Sequence, residues 1–217
     1  MARIDDYQQA LELGRNALRQ ADPDLLARRS GSEIRRGKDG RTLFHIPFLN
    51  DEAFLAWPDL LFVPGSSGKE PPLQHQIVLL HYLIGTWRSE GATVSGEWIS
   101  FQDLPDGRFY LDAFQRRAKI PLVQAFGERP EMLAELAGAA FGATPLSQGD
   151  VAVQVRVLPL VPVGLVLWRG DEEFPPEGNI LFDRNIGGIF TAEDIAWLAG
   201  MVVYPLVGMA RNKAQRA

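Results

Sequence analysis

The sequence predicts an α+β fold, with helices early and centrally, a mixed or antiparallel sheet, and a long C-terminal helix covering one sheet face. Three observations carry this expectation. Apolar residues recur at helical spacing in Ile4–Ala21, Leu73–Trp87 and Ile195–Ala210. Val151–Leu158 alternates as a half-buried strand does, whereas Val163–Trp168 is continuously apolar, as a strand central in a sheet would be. The 217 residues, 46% of them hydrophobic, match the size of one domain, so residues 1–217 are read as a single domain.

The elements follow in order. Ile4, Tyr7, Leu11, Leu18 and Ala21 share one stripe of a first helix. Asp22-Pro23 opens a second: Asp caps it, and Pro is tolerated in a first turn because its missing N–H would be unpaired there. Ser30-Gly31 ends it. Glu33–Arg36 and Arg41–Ile46 read as a hairpin around Gly37-Lys38-Asp39-Gly40, whose Asp-Gly supplies positive φ. Phe54–Trp57 and Leu60–Val63 read as short strands. Pro64–Pro72 is a Gly-, Ser- and Pro-rich loop, a candidate flap. Leu73–Trp87 is an apolar helix holding His75 and His81, and Gly96–Phe101 is a strand followed by a turn at Asp103–Gly107. Phe109–Ala118, Pro121–Phe126 and Glu131–Phe141 continue as helices. Pro159 and Pro162 bracket a bend, and Asn179–Phe182 is a further strand. Thr191 and Asp194 form a reciprocal cap for the last helix, and Asn212–Ala217 is expected to fray.

Composition removes whole classes of chemistry. The chain has no cysteine, which excludes disulfides, cysteine-ligated zinc, Fe–S clusters and a cysteine nucleophile. The formal charge of −5 gives no nucleic-acid footprint. No phosphate-binding glycine loop, dinucleotide fingerprint, zinc-protease HExxH or nucleophile elbow is present. The first residues lack the apolar run of a signal peptide, so the expected location is cytoplasmic. Ile195–Ala210 is uncharged, but at about 1.5 Å per residue it spans roughly 24 Å, short of the roughly 30 Å hydrocarbon core. It is read as a buried or homodimer-forming helix, not a membrane span.

Three constellations remain. His81 shares a helical face with Ile77, Leu80 and Ile84 and is expected to be buried; a neutral imidazole there would ligate a metal or the iron or cobalt of a tetrapyrrole. The alternative is a core histidine satisfied by a carbonyl or carboxylate. His75 lies on another face, and His45 has no partner visible in the sequence. Asp171, Glu172 and Glu173 stand together at a strand end, with Asp183 beyond the next strand: an oxygen-ligand or acid/base set, or a solvated turn. Arg116 and Arg117, beside Phe109, Tyr110 and Phe114, are candidates to clamp carboxylates, phosphates or planar ligands, or are plain surface charge.

Ile77–Leu83, Gly96–Phe101, Leu104–Phe109, Phe114–Arg117, Gly149–Val151, Leu167–Pro175 and Ile180–Asp183 recur in an order and spacing that resemble the family catalogued as domain of unknown function 3786, over roughly residues 73–203. The resemblance implies an uncharacterised domain, mainly of anaerobic bacteria and archaea. Some relatives join it to a cysteine-rich Fe–S segment of the kind found beside corrinoid proteins. It therefore points by analogy to anaerobic one-carbon or cofactor metabolism and to a tetrapyrrole or corrinoid. Within the matched segments it marks His81, Trp98, Arg116, Trp168, Asp171, Glu172, Glu173 and Asp183 as candidate site residues.

The leading expectation is a binding protein with an apolar pocket lined by Trp98, Phe101 and Trp168, closed by Pro64–Pro72, with His81 as axial ligand and Arg116 or Arg117 as clamp. The alternatives are an enzyme working through Glu172, Glu173 and Asp183, or an interaction module pairing through the C-terminal helix.

Overall fold

The computed structural model describes residues 4–37, 41–65, 68–89 and 91–216. The chain is α+β, with two antiparallel sheets and a long C-terminal helix. It divides into two compact units. One comprises residues 1–93 with 158–160 and 188–190; the other holds 94–157, 161–187 and 191–217.

The first unit contains helices α1 (Ile4–Leu18), α2 (Pro23–Ser30) and α3 (Leu73–Arg88) and a sheet of β1 (Glu33–Arg36), β2 (Thr42–Phe48), β3 (Asp51–Trp57) and β4 (Leu61–Val63), paired in that order. The α2 termini follow from their sequence. Asp22 accepts a hydrogen bond from Leu25 N at 2.7 Å, and Gly31 adopts φ 65° beyond the last turn. The β1–β2 hairpin forms with Glu33 opposite His45, and the turn residues Lys38–Gly40 lie outside the described residues. Phe44, Ile46 and Phe48 alternate onto the buried face of β2, with Ala53 and Leu55 of β3. Gly14 lets α1 approach α3 closely, since a Cβ there would lie 3.1 Å from Leu80 Cδ1. The Tyr82 hydroxyl donates to Ser30 O at 2.5 Å and accepts from Leu160 N at 3.3 Å, which ties α3 to the end of α2.

The second unit contains α4 (Gly107–Phe114), α5 (Ile120–Phe126), α6 (Pro130–Phe141) and α7 (Ala192–Arg216), and strands β5 (Trp98–Ser100), β6 (Thr144–Pro145), β7 (Val151–Leu158), β8 (Val161–Trp168) and β9 (Glu177–Asp183). The sheet order is β5-β9-β8-β7-β6, so the continuously apolar β8 is central, as its composition requires. Pro162 lies inside β8 instead of bounding a bend. Thr191 and Asp194 cap α7 reciprocally: Asp194 N donates to Thr191 Oγ1 at 3.2 Å, and Thr191 N to Asp194 Oδ2 at 3.3 Å. The expected fraying does not occur over residues 212–216, where α7 runs on to Arg216 and Lys213 binds Glu135 at 2.6 Å; Ala217 lies outside the described residues. Among the described residues, Ala192–Gln215 is one helix long and apolar enough to cross a membrane. More than half of its apolar stretch is buried inside the protein, where it packs on α4, α5 and α6 as a core helix does.

Between α4 and α5 the helix continues through a π turn, Gln115–Lys119, in which Ile120 N reaches back to Gln115 O. Pro121 supplies the cause. It lacks an N–H and its ring crowds the carbonyl four residues earlier, so a regular α-helix is disfavoured here and the wider turn absorbs the crowding.

Candidate functional site

The ten sequence-predicted residues fall in different settings. His81 is on α3 in the first unit and half-buried rather than buried, because its helical face is not fully covered. The others belong to the second unit. Trp98 packs on Ala152, Val166 and Leu181 beside Leu146, over the space that Gly164 leaves free of a Cβ. Phe101 is core: it stacks on Phe114 with ring centroids 4.1 Å apart and meets Phe182 edge-on at 6.1 Å. Trp168, partly exposed, ends β8.

The arginines are occupied too. Arg116 pairs with Asp112 at 2.6 Å one helical turn back, and the Arg117 guanidinium lies over the Trp197 ring at 5.9 Å. The candidate flap Pro64–Pro72 belongs to the first unit, and its Ser66 and Ser67 lie outside the described residues.

The acidic set separates. Asp171 builds its own turn: its carboxylate accepts from Glu173 N and Phe174 N, both at 2.8 Å, while its N–H donates to Phe174 O at 2.9 Å. Those amide donors hold the Asp171 carboxyl below the usual range. Glu172 and Glu173 are exposed, and all three line an open surface concavity with Glu128, Pro175 and Pro176. Asp183 has no part in it. That carboxylate is 2% exposed and accepts from Ser95 N (3.1 Å), Ser95 Oγ (3.0 Å), Gly96 N (2.8 Å) and Asn185 N (3.0 Å). It ties the Ser95–Gly96 segment to the end of β9. Among the described residues no group of three His, Cys, Asp or Glu is placed to hold a metal ion.

His45 has partners that the sequence concealed. Strand pairing sets Glu33 beside Nδ1 at 3.3 Å, and Glu52, two residue pairs along β3, lies 2.8 Å from Nε2. The ring stacks on Phe54 at 5.3 Å. The two nitrogens face opposite ways along the sheet, so the trio bridges three strands and cannot close around one ion. His75 packs edge-on to Phe48 at 5.2 Å, and burial lowers its pKa, which favours the neutral ring.

A groove that the sequence did not reveal lies in the second unit. It has a volume of about 410 Å³. Pro121, Gln124 and Ala125 of α5 form one wall and Arg129 and Met132 a second; Tyr204, Val207, Gly208, Ala210, Arg211 and Ala214 of α7 form the third. The α7 residues fall within one broad face of that helix, with 204, 207/208, 210/211 and 214 on successive turns. Prolines interrupt two of the helices that form it. Pro121 starts α5 after the π turn, and Pro205 removes the hydrogen bond that α7 would make to Met201 O just before the groove-lining turns. The signal available in the sequence was Pro205 with Gly208 inside an otherwise apolar helix. It indicates an irregular, small-residue face and not what that face opposes.

The profile of the family described as Domain of unknown function (DUF3786) matches residues 22–204. The chain belongs to that family. The match extends the expected family core of 73–203 back into α2 and the first sheet, so both compact units carry family sequence. No curated protein and no solved structure matched the chain.

Proposed function

We propose that this domain is a cytoplasmic binding protein for a small molecule seated in the groove among α5, α6 and α7. One observation carries the reading. The groove falls within the roughly 300–1,000 Å³ range of ligand sites, and its lining is mostly apolar with a few polar side chains among it. Its lining holds no histidine, carboxylate or serine beside the Tyr204 hydroxyl, so no acid/base pair is assembled there and binding is the reading its surface supports.

A tetrapyrrole or corrinoid, the occupant to which the family context points, has the required apolar body with polar substituents. In this groove it would be held by its faces and substituents. His81 is not among the lining residues and would not serve as its axial ligand.

Gly208 provides the test. A Cβ added there meets nothing within 4 Å, so Gly208→Trp fills the groove without disturbing α7. Titration with protoporphyrin and with cobalamin, followed by absorbance, is expected to give a spectral change that the Trp variant abolishes while its circular dichroism is unchanged. No change with either probe overturns the tetrapyrrole version. A change that persists in the variant overturns the location.

A further inference from the structure

The protein carries a net charge of −5, yet the charged residues that line this groove are two arginines. Arg129 and Arg211 both line it, and neither guanidinium has an ion pair or side-chain hydrogen bond among the described residues. The acidic side chains nearest in sequence are engaged elsewhere. Glu135 takes Lys213 on both oxygens at 2.6 Å, Glu131 pairs with Arg169, and Glu128 lines the separate concavity of residues 170–176. Gln124 and Tyr204 add neutral donors at the same opening.

An arginine fork matches a carboxylate in two parallel hydrogen bonds, and here two forks stand free beside the apolar surface of Pro121, Met132 and Val207. A phosphate would be better served by a nest of free amides at a helix start. The first turn of α6 lacks one: Pro130 has no N–H, and the amides of Arg129 and Met132 already donate to Phe126 O and Arg129 O.

We infer that the groove selects an apolar carboxylate, with Arg129 and Arg211 holding the anionic head and Pro121, Met132 and Val207 covering the hydrocarbon body. The inference rests on the groove being the ligand seat, and its test separates the two.

The probes are decanoate and decan-1-ol, equal in chain length and different in charge, titrated into isotope-labelled protein and followed by amide chemical shifts. The expected result is shifts confined to α5, α6 and α7 for both probes, with decanoate about tenfold tighter. R129Q/R211Q should remove that preference by weakening decanoate far more than decanol. R129K/R211K should restore part of it, because lysine returns the charge without the fork. Equal affinity of the two probes at the groove, or a preference that survives R129Q/R211Q, overturns the carboxylate inference and leaves the seat standing. No shifts at the groove with either probe overturns the seat, and the inference with it.

Discussion

Replacing Gly85 by alanine reverses the ordinary rule for helices. Gly85 lies inside α3, where alanine normally gains about 1 kcal/mol over glycine. Here a Cβ at position 85 would stand 2.0 Å from the carbonyl oxygen of Ile189, 2.7 Å from its carbonyl carbon and 2.8 Å from its Cα. Ordinary contact begins at 3.4 Å, so one of the two backbones must retreat by well over 1 Å. The obstacle is main chain and cannot change rotamer. Overpacking against yielding side chains costs about 1–3 kcal/mol, and this case sits at or above the top of that range. After the propensity gain, the net loss is about 2–4 kcal/mol.

Gly138 is the control. It sits inside α6 with nothing within 4 Å of an added Cβ, so Gly138→Ala should gain about 0.5–1 kcal/mol. Thermal unfolding followed by circular dichroism reads both. At about 2–4 °C per kcal/mol for a chain of this size, Gly85→Ala should melt about 5–15 °C below the parent and Gly138→Ala slightly above it. A Gly85→Ala protein melting at or above the parent would refute the close approach of α3 to Ile189.

Further outcomes follow from single contacts. Asp183→Ala leaves four donors without their buried acceptor and is expected to cost about 3–5 kcal/mol in urea unfolding; a loss below 1 kcal/mol would contradict the role given to this carboxylate. Tyr82→Phe removes the hydroxyl between Ser30 O and Leu160 N and should cost about 1–2 kcal/mol by the same measurement. Burial raises the Tyr82 pKa, so its phenolate absorbance should not develop on raising the pH until the protein unfolds. The Asp171 carboxyl, depressed by its two amide donors, should titrate by NMR below an ordinary aspartate. The stability it contributes is present above the unfolded-state pKa and is lost as the pH falls through the folded one; an Asp171 midpoint at or above the model-peptide value would remove the turn as a source of order.

Much of the fold was legible locally. The Asp22-Pro23 start of α2, its Gly31 stop, the Thr191–Asp194 cap of α7 and the continuous apolar run of β8 are decided by groups within a few residues of one another. The site was less legible because it depends on partners distant in the chain. Phe101 and Trp98 stand out as aromatics, but only the position of Phe114 shows that Phe101 is packed inside, and only the gap over Gly164 shows that Trp98 lies half-buried against the core. Three carboxylates in a row look like a cation site, but Asp171 is committed to its own backbone and Asp183 to Ser95 and Gly96. His45 lacks a partner in sequence because Glu33 and Glu52 reach it only through strand register.

By itself the sequence determined the α+β class, the family, and the absence of cysteine chemistry, since each follows from composition or from patterns over short stretches. Tertiary structure alone decided which charges remain uncommitted. An arginine reads the same whether it pairs, as Arg116 does with Asp112 and Arg169 with Glu131, or has no ion pair among the described residues, as with Arg129 and Arg211 at the groove. The physical reason is range. Helix and strand preferences arise from neighbouring residues, whereas this groove is what α5 and α6 leave unfilled against α7, which lies far along the chain.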